Sequence, residues 1–437
     1  MKVVIVGAGF GGLKLARRLN NKAGFEVVLV DKFNYHQFQP LFYQVATAGL
    51  DASNISFPLR KVFQRSNNVR IRLAELKEVV PAEKKIITDA EEIGYDVLVL
   101  ATGAGTNFFG NKDLEAHAFP MKSTVEALQL RYRLLQNLEE SLTITDQDEL
   151  QRRMNIVIVG GGPTGVEVAG ALSEMKKYVL PKEYPELDFS RMQIFLLEGA
   201  GKTLATMSQQ SSAKSQKYLG RLGVNAMTGA LVKEYDGRDI RLQDGRSIAA
   251  HTVIWAAGIR GNLPAGIDPA LVARGNRIRT NRYCQVEGWD DVYVIGDLAY
   301  METPEYPNGH PQVAPVAMQQ AALVGDNLVK LERKSPARSL QQFTYHDKGS
   351  MATVGRNLAV VDIPKPKLHF GGFFAWTIWM GLHLMMILGV KNRFFVFVNW
   401  LYNYFTCDQN LRLIFREFDR DNNKASKSEV QPTSVGA

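Results

Sequence analysis

Two glycine-rich stretches, Gly7-Ala8-Gly9-Phe10-Gly11-Gly12 and Gly160-Gly161-Gly162-Pro163-Thr164-Gly165, carry residue types at the spacing that a dinucleotide pyrophosphate requires. The first glycine of each (Gly7, Gly160) permits a tight turn off a strand. The second (Gly9, Gly162) has no Cβ, so phosphate oxygens can approach the backbone, and the third (Gly12, Gly165) lets the following helix pack closely on the sheet. A helix beginning there aims unpaired N–H groups and the positive end of its dipole at the anion. Each loop is followed by an apolar run ending on an acid, Asp31 after 26–30 and Glu198 after 192–197, placed to accept hydrogen bonds from ribose hydroxyls. Glu198 is followed by Gly199, Ala200 and Gly201, with no arginine. Its carboxylate would bond a free 2′-hydroxyl and repel a 2′-phosphate, which points to NADH over NADPH, with Lys202 only softening the repulsion.

A lone glycine loop is a weak signal; here the elements that must position it occur twice. Strand Lys2–Val6, loop, helical pattern 13–19 and a second strand are followed later by strand 155–159, loop, a helical stretch with an insertion, and strand 192–197. That order is the context the fingerprint demands and predicts an α/β chain with two Rossmann-like units. Three more apolar runs, 96–103, 252–258 and 291–297, end in small residues where a cofactor can pass close to the backbone. The 437 residues suffice for two to three domains, and 46% apolar with 22% charged residues excludes disorder over most of the length. Cys284 and Cys407 are far apart in sequence and form no Cys-x-x-Cys pair, disulfide framework or cysteine zinc site, and the seven histidines show no ligand spacing, so no metal is expected. No basic repeat interleaved with aromatics suggests nucleic acid. The run from Met1 straight into a strand leads us to expect no signal peptide and a reducing cytoplasm. The net charge of +8 hints at an acidic partner such as a phospholipid surface.

The C-terminal region carries a different signal. From 370 to 390 there is no Lys, Arg, Asp or Glu, and the stretch holds Phe373, Phe374, Trp376 and Trp379. After Lys391-Asn392-Arg393 a second aromatic run extends from Phe394 to Phe405. A helix over 370–390 would be roughly 30 Å long, so length alone permits a span. Gly371, Gly372, Gly381, Gly389 and His383 interrupt it, however, and the second run is too short to span and sets Asn399, Asn403 and Thr406 on one stripe. Amphipathic helices lying on a membrane are therefore expected, with Lys391, Arg393, Arg412 and Arg416 suited to anionic headgroups. Each buried large apolar side chain contributes about 1.5–3 kcal/mol, against about 1 kcal/mol per basic residue near an anionic leaflet, so a few inserted aromatics dominate the attachment. The alternative is interior or dimer-interface helices. Asp419-Arg420-Asp421-Asn422-Asn423-Lys424 has a calcium-loop flavour but lacks the sixth-position glycine and has Val430 at the twelfth position, so it is rejected, and the polar tail is expected to be disordered.

The repeat, with the strands at 252–258 and 291–297, resembles the two-dinucleotide-binding flavoproteins, whose first fingerprint binds FAD and second a nicotinamide dinucleotide. By that resemblance Gly7, Gly9, Gly12, Asp31 and Asp297 serve FAD, and Gly160, Gly162, Gly165 and Glu198 serve the nicotinamide. Gly11, Lys32, Leu76, Gly258, Ala314 and Pro315 complete the cofactor-binding set. Many such proteins pass electrons to a cysteine pair; none stands near either loop here, which excludes disulfide reductases and sulfide–quinone reductases of the usual kind. Asn34-Tyr35-His36-Gln37-Phe38-Gln39-Pro40-Leu41-Phe42-Tyr43-Gln44-Val45-Ala46-Thr47-Ala48-Gly49 is similar to the N-terminal segment of type II NADH:quinone oxidoreductases. So are Gly165-Val166-Glu167, Trp255-Ala256-Ala257-Gly258 and the stretch from Asn392-Arg393 through Tyr404-Phe405-Thr406. The resemblance covers nearly the whole chain. It implies a non-pumping dehydrogenase on one membrane leaflet that moves hydride from NADH to FAD and electrons on to a membrane quinone.

That family's Ala-Gln-x-Ala-x-Gln stretch reads here Ala314-Pro315-Val316-Ala317-Met318-Gln319, so Pro315 replaces the first Gln and Gln319 is retained. Residues 315–328 look helical, with proline well placed in the first turn; by the resemblance this helix points its N-terminus at the flavin, where its dipole would stabilise negative charge. Glu167 and Gln319 are the catalytic candidates. The resemblance places Glu167 near the nicotinamide, where it could help manage protons; otherwise it is a first-turn helix acid. Gln319 is expected to bond a quinone carbonyl, or is an exposed helix residue. His383 could deliver a proton, but a packed histidine suits an apolar segment better. The expected architecture is α/β, with an FAD-binding domain in two parts (1–115 and 261–335), an NADH-binding domain (116–260) and a C-terminal membrane-anchoring or dimerisation region with amphipathic helices (336–437). Expected partners are NADH, a membrane quinone, the phospholipid surface and a second copy of the chain in a homodimer, on the cytoplasmic face of a bacterial membrane. Two alternatives stand: a soluble NADH-dependent reductase of a protein carrier, and a flavin-binding redox-signalling protein without turnover.

Overall fold

The computed structural model describes residues 1–334, 336, 339–409 and 411–414; Arg416, the calcium-like stretch and the polar tail lie outside the described residues. Unbroken β-branched and leucine runs build the strands that carry both loops. In chain order the parallel strands are β1 (Lys2–Val6), β2 (Glu26–Asp31), β3 (Val69–Leu73), β4 (Val97–Leu100), β5 (Ile156–Val159), β6 (Ile194–Glu198), β7 (Val224–Thr228), β8 (Thr252–Trp255) and β9 (Val292–Val294). One five-stranded sheet has the order β9-β4-β1-β2-β3. The second repeats the plan as a short strand Phe119–Pro120, then β8-β5-β6-β7. Val3, Val4, Ile5, Val157 and Ile158 are fully buried, as expected for strands covered on both faces.

Helices α1 (Phe10–Leu19) and α2 (Pro163–Tyr178) follow the two glycine loops, and α3 (Ala314–Glu332) packs along α1. The chain leaves the first sheet after β4, builds the second, and returns at β9. The antiparallel pair Ala104–Thr106 and Ile259–Gly261 ties the outgoing and returning segments together. The α/β class with two Rossmann-like sheets is thus as the sequence pattern predicts.

The C-terminal region contains a sheet that the pattern does not reveal. Strands β10 (Ser350–Gly355), β11 (Leu358–Ile363) and β12 (Leu368–Gly371) form an antiparallel meander. It lies so close on α2 that a Cβ at Gly170 would fall 1.6 Å from the Val354 carbonyl oxygen. Helices α4 (Phe373–Met386) and α5 (Val390–Thr406) follow. The uncharged run is therefore divided among a strand, a helix of 14 residues and a bend. Among the described residues no helix is long and apolar enough to cross a membrane.

Of the polar stripe of α5, Asn403 faces the protein and donates to Asn399 Oδ1, whereas Thr406 is exposed. Asn392 donates to the carbonyls of Ser53 and Ser56, Asn403 to that of Gly49, and Trp400 Nε1 to Gln44 Oε1. That leaves Phe394 (60% exposed), Phe397, Leu401 and Phe405 (74%) on the outer face beside Phe373 and Phe374 (61%) of α4. Arg412 departs from the headgroup expectation: it is ion-paired with Glu183 and Asp408 and largely covered.

Candidate active site

The two loops have matching geometry. Gly7 leaves β1 at φ +104°, where a Cβ would sit 2.2 Å from the Ala101 carbonyl oxygen; Gly160 leaves β5 at φ +110°, with a Cβ 2.6 Å from that of Ala256. A Cβ at Gly12 or Gly165 would lie 1.8 Å from the carbonyl oxygen of Gly7 or Gly160 respectively. At Gly9 and Gly162 nothing lies within 4 Å of the Cβ position. The outer glycines close each loop on itself, and the middle one opens onto free space, which fits a pyrophosphate in both places.

The acids match as well. Asp31 accepts from the Ala8 N–H at 2.6 Å and the Phe33 N–H at 2.7 Å. Glu198 accepts from the Gly161 N–H at 2.5 Å and the Ala200 N–H at 2.6 Å. Each carboxylate is held by one loop amide and one amide two residues on, with lone pairs left for a ribose. Burial raises the Asp31 pKa, opposed by those two N–H groups and by Lys32. His36, from the Asn34–Gly49 motif, lies with Nδ1 2.9 Å from the Ala8 carbonyl oxygen, so Nδ1 carries the proton. Burial lowers its pKa.

The first loop is enclosed by the returning chain. Ala317 of α3 lies against both Gly11 and Gly296, so the start of α3 meets the end of β9 beside the first loop. No side chain caps α3, and Pro315 occupies its first turn, which leaves its N-terminal dipole facing this space. Asp297 is largely enclosed: burial raises its pKa, while Lys122 and Arg277 pull it down. The same burial lowers the pKa of Lys122, against the pull of Asp297 and Glu126. Lys122 and Gln320 were not legible as site residues. Lys122 sits just before the Ser123–Glu126 capping box of the next helix, and Gln320 Oε1 accepts from the Gly296 N–H at 2.7 Å.

The remaining candidates fall at different depths. Lys32 lies over the Phe33 ring, 5.5 Å from its centroid, Leu76 packs on the core beside β2 and β4, and a Cβ at Gly258 would meet the Phe109 ring at 2.8 Å. Gln319 is tied to His346, donating to its carbonyl at 2.9 Å and accepting from its N–H at 3.0 Å. His383 is a packed histidine: its Nδ1 lies 2.7 Å from the Trp379 carbonyl, its ring stacks on Trp379 at 4.0 Å, and burial pushes its pKa down to about 4. Cys284 and Cys407 are both free. Among the described residues no cluster could hold a metal.

Glu167, in the first turns of α2, is a strongly perturbed acid. It is buried, and the Thr353 N–H of β10 approaches Oε1 at 3.4 Å. Burial pushes its pKa up to about 8, opposed by Thr353 and by the nearby Trp379 indole, although the indole N–H falls short of a full hydrogen bond. Glu167 forms one wall of an open cavity whose other walls include Tyr43, Gln44, Trp376, Trp379 and Trp400. The helix of the second glycine loop, the meander and the exposed aromatic helices thus converge on one carboxyl group.

Comparison with known proteins agrees with this arrangement. Residues 1–321 match the family model described as pyridine nucleotide-disulphide oxidoreductase, and 347–407 match the NDH2 C-terminal domain. The chain is 35% identical over 415 residues to the type II NADH:quinone oxidoreductase NdhA of Mycobacterium tuberculosis, covering 91% of this chain and 86% of that protein. It is 33% identical over 412 residues to the enzyme Ndh of the same organism, covering 91% and 87%. The structure of NDH2 from Plasmodium falciparum in complex with NADH superposes with a TM-score of 0.85 at 20% identity, covering 95% of this chain and 99% of that one.

Proposed function

The chain belongs to the type II NADH:quinone oxidoreductases, and from that premise we propose how its residues divide the reaction. The protein oxidises NADH and reduces quinone, with FAD as the bound cofactor. The chemistry FAD supplies when bound is acceptance of a hydride and return of two electrons to the quinone. Gly9 and Gly162 give the two pyrophosphates access to the backbone, Asp31 and Glu198 hold the two riboses, and Asp297 with Lys122 holds the flavin's sugar chain. The start of α3 supplies a positive field to the flavin ring.

Glu167 carries the assignment of the second substrate. Its carboxyl belongs to the nicotinamide-loop helix yet lines the cavity shared with α4 and α5. With its pKa at about 8 it is neutral at pH 7, so it can hold a proton beside a quinone that must gain two on reduction. Anaerobic stopped-flow tests this. NADH should bleach the flavin band, and menadione should restore it. In Glu167→Gln the flavin should still be bound while the rates change; rates equal to those of the unchanged protein would remove Glu167 from the mechanism.

The outer aromatic face of α4 and α5 supports attachment to a phospholipid surface, on the leaflet that meets the soluble NADH pool, the cytoplasmic one. A second copy of the chain is the other occupant that face could seat, as the expected homodimer. Phe374→Ser and Phe394→Ser should each weaken vesicle binding by roughly tenfold or more, since burial of such a side chain contributes about 1.5–3 kcal/mol. Loss of a dimer with vesicle binding unchanged would assign the face to the second copy instead.

A further inference from the structure

A chain of hydrogen bonds in the cavity wall fixes the role of one phenol. The Trp400 indole N–H can only donate, and it does so to Gln44 Oε1 at 2.7 Å. This sets the orientation of the Gln44 amide, so Nε2 must be the atom that faces Tyr43, and it donates to the phenol oxygen at 2.7 Å. Gln44 cannot take the phenol's hydrogen. Among the described residues no acceptor receives it, although Tyr43 is buried and lines the cavity.

We propose that Tyr43 donates a hydrogen bond from its phenol to a carbonyl oxygen of the quinone in this cavity, with Gln44 and Trp400 as the positioning residues that hold it in the donor role. The inference rests on reading the cavity as the quinone site. The phenol keeps its proton: burial and the neighbouring Glu167 and Glu174 raise its pKa well above the usual range. Tyr43 therefore polarises the carbonyl without entering the proton balance, and the two electrons come from the reduced flavin. Trp376 and Met380 of α4 add apolar wall to the cavity, so a donor from Tyr43 would help fix which end of an otherwise apolar molecule enters first.

The test uses the flavin-loaded protein and separates the two half-reactions. In Tyr43→Phe the ring packing is kept, so NADH should bleach the flavin at the usual rate and ferricyanide, which has no carbonyl, should reoxidise it at the usual rate. Reoxidation by menadione should slow about tenfold, the effect of one lost hydrogen bond to substrate. Gln44→Glu should slow menadione similarly, because an acceptor at that position captures the phenol hydrogen; a purely structural role for Tyr43 predicts no such effect. Menadione rates within twofold of the unchanged protein in both variants, or equal slowing with ferricyanide, would overturn the proposal. Ala171→Phe, which fills the cavity from α2, distinguishes the two levels. If it blocks menadione and Tyr43→Phe does not, the Tyr43 role alone falls. If Ala171→Phe leaves menadione turnover intact, the cavity is not the quinone site and the inference falls with it.

Discussion

The two dinucleotide units share a strand order, a loop geometry and an anchored acid, yet they are covered differently. Over the first loop close the end of β9 with Gly296 and Asp297, the start of α3, and the buried His36. The second loop is followed by Pro163 and Thr164, both exposed, and the later chain meets it where the Leu204 N–H donates to the Gly161 carbonyl at 2.7 Å. Under the proposed division of the sites, the same local sequence code would serve a retained cofactor in one unit and an exchanging substrate in the other. What separates them is tertiary: the first unit is completed by chain that returns from nearly two hundred residues later, about the length of one domain. One position in the helices differs in kind as well. Seven residues after the first glycine of each loop stand Lys14, exposed, and Glu167, buried.

The largest effect should come from forcing a side chain onto the first glycines. An alanine at Gly7 or Gly160 meets both a positive φ and a carbonyl oxygen within 2.6 Å, and the strain alone costs about 1–3 kcal/mol. Gly7→Ala should yield protein without bound flavin, read from visible absorbance per chain. Gly160→Ala should keep the flavin and lose its bleaching by NADH. Flavin loss in both variants would mean that the second unit also supports the first, and the contrast between retained and exchanging sites would fail.

The Lys14–Glu167 difference gives the next effect, through pH. Burial raises the Glu167 pKa from 4.5 to about 8, so the folded state favours the neutral form. The stability this contributes is fully present below about pH 4.5 and is lost as pH rises through about 8. Glu167→Gln, neutral at every pH, should match the unchanged protein in Tm near pH 5 and exceed it above pH 8, while Lys14→Gln should show no such divergence. Menadione reoxidation should fall above pH 8 in the unchanged protein and stay flatter in Glu167→Gln. Parallel Tm curves from pH 5 to 9 would show that Glu167 is already ionised in the fold.

The glycine spacing, the terminal acids and the strand runs made both units legible, because each of those signals is local: a missing Cβ, a two- or 3.6-residue period, a chain reversal. What was not legible depends on distant approach. The meander β10 to β12 is short and half-buried, and its seat on α2 depends on Gly170, which reads in sequence as an ordinary helix glycine. Lys122 meets the charge of Asp297, far along the chain, and no pattern around residue 122 marks it. Gln319 and Gln320 show the limit most clearly. The motif points to Gln319, which is bonded to His346, whereas its neighbour Gln320 turns inward to Gly296; a one-residue step on a helix rotates the side chain by about 100°. The polar stripe on α5 was legible as a stripe, but only the contact of Asn403 to Gly49 shows that part of it faces inward, while Thr406 stays exposed.

The acids give the smallest and finest test of the comparison. Asp31 and Glu198 have the same pair of backbone donors, so local geometry alone predicts equal consequences when either is made neutral. Asp31→Asn places an amide N–H₂ against an N–H donor and should cost about 1–2 kcal/mol at the ribose. Because the first site is enclosed, flavin should still copurify, with only a faster loss on dilution. Glu198→Gln suffers the same local change in an open site, where it should appear directly as a rise of several-fold in the KM for NADH. Removing the charge also removes its repulsion of a 2′-phosphate, so the preference for NADH over NADPH should narrow at the same time. If instead Asp31→Asn empties the flavin site while Glu198→Gln leaves both nicotinamides unaffected, enclosure is not what distinguishes the units, and the acids themselves do different work.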